Sequence, residues 1–206
     1  LVGFAQAGGN ADAGKTKAAT CIGCHGMDGN SVVPIFPKLA GQNERYLIKQ
    51  MQDIQCGTLP AEEQKKAKCS PRVVAAMAGQ LNGKSAEDLA DIAAYYASQN
   101  GSAGSANPAL ASKGEAIYRA GIMDKAIAAC SACHSPTGKG NAAAGYPALG
   151  GQHTGYITAQ LKAFRAAADG KPGRDNDGDI RMMRDVAKNL SDSEIEAVAS
   201  FISGLN

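Results

Sequence analysis

Two groups of thiols and imidazole carry the chemistry of this chain: Cys21-Ile22-Gly23-Cys24-His25 and Cys130-Ser131-Ala132-Cys133-His134. In each, the thiols lie at i and i+3, which gives them a common face on a helical turn, and a His follows at once. Thiols so placed can add to the two vinyl groups of a haem, and the adjoining imidazole can then reach the iron. That is the spacing of covalent c-type haem attachment. A zinc site would want two Cys pairs around one metal without a systematic trailing His, and a dithiol redox pair would want a βαβ context. The sequence supplies neither.

The sixth iron ligand separates a closed electron-transfer centre from an open, reactive one, and the chain has six Met. An internal repeat sorts them. The halves align at an offset that drifts only between 106 and 110 residues, with Phe36-Pro37-Lys38-Leu39-Ala40-Gly41-Gln42 recurring as Tyr146-Pro147-Ala148-Leu149-Gly150-Gly151-Gln152. Met77 and Met183 each stand eight residues before an equivalent Ser, Ser85 and Ser191, so they are the expected axial partners of His25 and His134. Packing against the haem is the other role open to both, and Met182 is a neighbour that could substitute for Met183. Met51 matches Leu161 and reads as core, while Met27 and Met123 have no counterpart. A ligating His is oriented through its other ring nitrogen, and the carbonyls of Pro37 and Pro147 are the candidates for that bond. Leu39 and Leu149 would lean on the porphyrin face or simply fill a turn and core. His153, outside both motifs, suggests a helix start or a contact between the halves.

The elements that must position these groups are helical. Leu47, Met51 and Ile54 repeat as Ile157, Leu161 and Phe164 at i, i+4, i+7. Leu89, Ile92, Ala93 and Tyr96 repeat as Ile195, Val198, Ala199 and Ile202, each run preceded by a capping-box pattern at Ser85-x-x-Asp88 or Ser191-x-x-Glu194. No run alternates with the period of a strand, so the expected class is all-α. Two domains, residues 8–100 and 111–206, are expected, joined by a short Gly/Ser/Asn-rich linker at 101–110. Cys56 and Cys69 remain after four Cys go to haem, and an even remainder in an exported chain predicts a disulfide closing a local Lys-rich loop. Asp175, Asp177 and Asp179 resemble a fragment of a calcium loop but lack its spacing, and a solvated turn is expected.

Composition closes off other classes. With 44% hydrophobic and 19% charged residues the chain can bury a core, so a mostly disordered polypeptide is excluded. Aromatics make up only 5%, with no Trp, so two small cores would be short of large packing groups unless something else fills them. Each half carries a formal charge of +1, and no basic patch interleaved with aromatics suggests nucleic-acid binding. No stretch is long and apolar enough to cross a bilayer. Leu1-Val2-Gly3-Phe4-Ala5-Gln6-Ala7 reads as the remnant of a secretory signal ending in Ala-x-Ala, which places the mature chain in an oxidising compartment.

Together the two Cys-x-x-Cys-His motifs, the paired Pro-x-Leu-x-Gly-Gln segments and the two Met-to-helix modules resemble the di-haem cytochrome c4 family, over nearly the whole chain from about Gly14. The resemblance implies two tandem class I cytochrome c domains related by pseudo-twofold symmetry, with two covalent haem c groups whose propionate edges face one another. It implies thioether bonds at Cys21, Cys24, Cys130 and Cys133 and axial ligands at His25, Met77, His134 and Met183. It further implies a periplasmic electron carrier, peripheral on the outer face of the inner membrane in some members. Its donor would be a quinol-oxidising complex or small redox protein, and its acceptor a terminal oxidase. The Cys56–Cys69 segment departs from the family pattern. Two rival readings are an electron-transfer subunit of a dehydrogenase complex and a di-haem peroxidase-type enzyme, which needs one open iron. Equivalent Met placement in both halves disfavours the enzyme.

Overall fold

The computed structural model describes residues 8–205. The expected signal remnant at 1–7 lies outside the described residues. Among the described residues the regular structure is helical, with two isolated β-bridges, Ile122 to Ile127 and Asn141 to Tyr146, and no strand. The first half contains α1 (Ala11–Lys17), α2 (Ile22–His25), α3 (Glu44–Gly57), α4 (Ala61–Ala67) and α5 (Ala86–Ala97). The second contains α6 (Pro108–Ala120), α7 (Ser131–His134), α8 (Thr154–Ala168), α9 (Met182–Lys188) and α10 (Asp192–Gly204).

The duplication is preserved in the packing. α1 crosses α5 as α6 crosses α10, and α3 packs on α5 as α8 packs on α10. The crossings are close because each places a Gly at the contact. A Cβ on Gly14 would lie 1.9 Å from the Asp91 carbonyl oxygen, and one on Gly114 would lie 2.2 Å from that of Ala197. α5 and α10 start at full capping boxes. Ser85 Oγ accepts from the Asp88 amide at 3.1 Å while the Asp88 carboxylate accepts from the Ser85 amide at 2.8 Å, and Ser191 and Glu194 repeat the arrangement. The N-terminus of each of these helices is thereby fixed in sequence.

The apolar faces expected from the periodicity are buried. Ile195, Val198, Ala199 and Ile202 form one cluster with Ile117, Tyr118 and Ile157, and Ile92, Ala93 and Tyr96 form another with Leu47 and Tyr95. A third, around Ile54, Leu81 and Leu89, borders Met77. The halves therefore have separate cores. α6 begins at Pro108, with Asn107 capping it, so the extended connection ends inside the stretch expected as linker. Cys56, near the end of α3, and Cys69, after α4, are joined in a disulfide with Cα atoms 6.0 Å apart.

Two elements escape the sequence patterns. α1 carries no large apolar side chain and buries only Gly14, and α6 buries Gly114 beside just Ile117 and Tyr118 rather than a broad apolar stripe.

Candidate functional site

α2 and α7 are single turns that open two equivalent cavities. The first, about 720 Å³, is lined by Cys21, Cys24, His25, Leu39, Met77 and Tyr96 among others. The second, about 730 Å³, is lined by Cys130, Cys133, His134, Leu149, Met182 and Met183 among others. Both lie within the roughly 300–1,000 Å³ of cavities that take a small-molecule cofactor.

His25 and His134 are each 6% exposed. The Pro37 carbonyl lies 2.9 Å from His25 Nδ1, and the Pro147 carbonyl lies 3.0 Å from His134 Nδ1. Since a carbonyl only accepts, Nδ1 carries the proton in both rings, and Nε2 is the nitrogen left with a lone pair for a metal. Burial lowers the pKa of both imidazoles, with the carbonyl bonds opposing in part, which favours the neutral ring a metal requires. Phe36 and Tyr146, equivalent in the repeat, set their rings 6.4 Å from the two imidazoles.

The thiols point away from dithiol chemistry. Burial raises the pKa of Cys21 and pushes Cys130 up to about 11, whereas a reactive redox thiol needs the opposite shift. Among the described residues no three His, Cys, Asp or Glu side chains converge on a point that could hold a bare ion. A metal here has to arrive with most of its own donors, as the iron of a macrocycle does, and the thiols are then available as attachment points.

Of the six Met, the structure sets Met77 at the first cavity, where it ends a 3₁₀ turn at Ala75–Met77. Met182 and Met183 both line the second. Met51 also borders the first cavity but packs into two apolar clusters, and Met27 and Met123 are 68% and 92% exposed. His153 stands at the N-cap position of α8 without a side-chain capping bond, and its Nε2 lies 2.8 Å from the Ser31 carbonyl of the other half, so it is both helix start and contact. Asp177 accepts from Arg184 Nε at 2.6 Å and from its amide at 2.9 Å, which makes the Asp-rich segment a braced turn.

Between the cavities lies a polar cluster with its own twofold logic. Arg72 donates to Gln50, Tyr156 and Gln160 at 2.8–3.1 Å. Arg174 donates to Gln160, Tyr46 and Gln50 at 2.8–3.0 Å, and to Asn176. Every hydrogen-bond acceptor of these two guanidinium groups is an amide or phenol oxygen, with the Asp53 charge acting on Arg72 through space; burial alone would raise the Tyr46 phenol, but the charges of Arg174 and Arg72 outweigh it and hold it below the ordinary range. Two cations facing neutral acceptors beside both cavities suit carboxylate groups on whatever fills them, such as haem propionates. Sequence reading missed this cluster. Tyr46 with Tyr156 and Gln50 with Gln160 keep the 110-residue offset, so the repeat held a signal for them; the two Arg fall out of register and left none.

The halves are joined by a second symmetric set. Gln42 accepts from the Ala148 amide at 2.8 Å and donates to the Ala148 carbonyl at 2.9 Å, while Gln152 makes the same pair with Lys38, both at 2.9 Å. Lys38 and Ala148 are equivalent in the repeat, as are the two Gln.

Comparison with known proteins agrees with this geometry. The cytochrome c family model matches residues 11–100 and again 111–206. Cytochrome c4 of Stutzerimonas stutzeri is 50% identical over 206 residues, covering 100% of this chain and 94% of that protein. The crystal structure of reduced recombinant cytochrome c4 from Pseudomonas stutzeri superposes with a TM-score of 0.88 at 50% identity, over 96% of this chain and 100% of that one. A thiosulfate dehydrogenase electron acceptor of Thiomonas intermedia (strain K12) is 33% identical over 191 residues, 91% of this chain and 79% of that protein. The tandem domains bind two covalent haem c groups, and their work is electron transfer rather than catalysis. The chain belongs to the di-haem cytochrome c4 family of tandem class I c-type cytochromes.

Proposed function

We propose that this chain is a periplasmic electron shuttle between respiratory complexes, taking electrons from a quinol-oxidising complex or small redox protein and delivering them to a terminal oxidase. The observation that carries the reading is the equivalence of the two cavities: each has a buried neutral His held by a Pro carbonyl and a Met at its wall. Neither half is built as the open, reactive partner of the other, which is what a di-haem peroxidase would need. Residues 8–100 and 111–206 would form the two electron-transfer units.

In this reading Cys21 and Cys24, and Cys130 and Cys133, hold the cofactor through thioether bonds. His25 with Met77 and His134 with Met183 would hold the two irons, and Leu39 and Leu149 would shield the macrocycle faces. The haem iron supplies a reversible one-electron couple, raised in potential by a thioether ligand. The protein's residues would leave neither iron open to substrate, would exclude water with apolar walls, and would offer Arg72 and Arg174 to the cofactor's carboxylates. No helix among the described residues is long and apolar enough to cross a membrane; peripheral association with the outer face of the inner membrane is part of the proposed reading.

Likeness to a thiosulfate dehydrogenase electron acceptor favours a second reading, service to a dedicated dehydrogenase. Stopped-flow mixing separates them. Reduced protein added to membranes rich in terminal oxidase should be oxidised within the turnover time of the oxidase. Failure there, with rapid reduction by a purified dehydrogenase that co-elutes with the chain, would replace the shuttle by the subunit.

A further inference from the structure

The Pro37–Lys38 peptide makes hydrogen bonds on both of its edges. Its carbonyl oxygen accepts from His25 Nδ1 at 2.9 Å, and its N–H, carried by Lys38, donates to Gln152 Oε1 at 2.9 Å across the interface. The Pro147–Ala148 peptide does the same, its carbonyl 3.0 Å from His134 Nδ1 and its N–H 2.8 Å from Gln42 Oε1. Both Gln side chains are buried, and each oxygen holds a second donor, the amide of Asn43 or of His153, which fixes its orientation.

A peptide is a conjugated unit. An acceptor drawing on its N–H pushes electron density toward its carbonyl oxygen, and bonds in such a chain strengthen one another by about 10–30% each. A stronger carbonyl acceptor pulls harder on the imidazole Nδ1 proton and makes Nε2 a more basic ligand, which favours the ferric state and lowers the potential.

We propose that Gln42 and Gln152 are crossed positioning residues: Gln152 in the C-terminal half tunes the N-terminal centre through His25, and Gln42 in the N-terminal half tunes the C-terminal centre through His134. The proposal rests on the axial reading of these two His. It also gives the interface a task beyond cohesion, because any rotation of one domain against the other changes the ligand field of both irons at once.

Gln42 makes the discriminating test. It lines the N-terminal cavity and not the C-terminal one, so an effect of mere proximity would fall on the N-terminal haem, whereas the peptide relay sends it to the C-terminal haem. The holoprotein with Gln42→Met or Gln152→Met, ¹⁵N-labelled at His, is read in two ways. In the reduced state the Nδ1 protons of His25 and His134 are observed, each assigned by contacts with Pro37 or Pro147. In a redox titration each haem is followed through ring methyls assigned by contacts with its own Cys pair.

Gln42→Met should move the His134 Nδ1 proton upfield and raise the C-terminal potential, by up to about a tenfold change in the one-electron equilibrium, or 59 mV, leaving the N-terminal haem at its wild-type value. Gln152→Met should do the converse. A shift confined to the haem of the same half, equal shifts in both, or none in either overturns the relay. Should the Met variants fail to load haem, Gln→Asn keeps a polar amide but draws its oxygen back from the partner N–H. Gln42→Asn must then move the His134 proton upfield and not that of His25, with the opposite pattern again overturning the proposal. If His25 or His134 were not a ligand, the wild-type protein would already lack a ring-current-shifted Nδ1 proton, which distinguishes that failure from failure of the relay.

Discussion

Met77 and Met183 occupy equivalent sequence positions but reach their cavities from different local structures. Met77 closes a one-turn 3₁₀ segment, whereas Met183 is the second residue of α9, and its neighbour Arg184 is clamped to Asp177 and to the Gly178 carbonyl at 2.6 Å. Met182 precedes it on the same turn and lines the same cavity, so the repeat register, not the cavity wall, points to Met183. Met77→Ala should abolish half of the sulfur-to-iron charge-transfer absorbance of the oxidised protein and lower one potential while leaving the other haem intact. Met183→Ala should remove the other half, and Met182→Ala neither. Retention of the full band in Met183→Ala together with its loss in Met182→Ala would transfer the ligand to Met182.

Helix boundaries were readable where a side chain closes a hydrogen-bonded ring, as at Ser85 and Ser191, because capping is a local interaction that leaves a short-range pattern. The crossings of α1 on α5 and α6 on α10 were not, since a glycine that permits close approach looks the same in sequence as one that loosens a turn. Gly14→Ala or Gly114→Ala sets a methyl about 2 Å from a carbonyl oxygen, so the helices must separate, and overpacking of this kind costs about 1–3 kcal/mol. Denaturation followed by the spectrum of each haem should show that loss in the mutated half. Glu194 provides a pH-dependent counterpart on α10. Hydrogen bonds from Lys125 at 2.7 and 2.9 Å, and then the cap bonds of Ser191, bring its pKa from 4.5 down to about 2 in the folded chain. A depressed carboxylate stabilises the fold fully above its unfolded value, and the contribution is lost as pH falls from about 4.5 toward 2. Glu194→Gln retains a capping-box side chain but not the charge, so the C-terminal half should lose stability less steeply over that interval, as measured by urea midpoints at successive pH values.

Across the whole molecule, the shortage of aromatics and the two large cavities have one explanation, that each small core is completed by its cofactor. The duplication told where the cavities would lie and which His faced them, since motif and register are matters of sequence spacing. Arg72 and Arg174 became visible only when the halves met, because an interface between domains leaves no period in either. A cavity of about 730 Å³ with mostly apolar walls fills with water when its cofactor is absent, so the apolar burial that should complete the C-terminal core is lost. An empty C-terminal half should therefore be much less stable than the loaded one. The N-terminal half, with apolar clusters of its own, does not need its neighbour's core and meets it through polar contacts such as the Gln42 and Gln152 pairs. Replacing Cys130 and Cys133 by Ser should yield protein with one covalent haem, a protease-sensitive segment beginning near Pro108, and a folded N-terminal half. Because Gln152 would then be withdrawn from the Lys38 amide, the surviving haem should also titrate at a raised potential; two resistant halves with one haem would show that the cavity tolerates being empty.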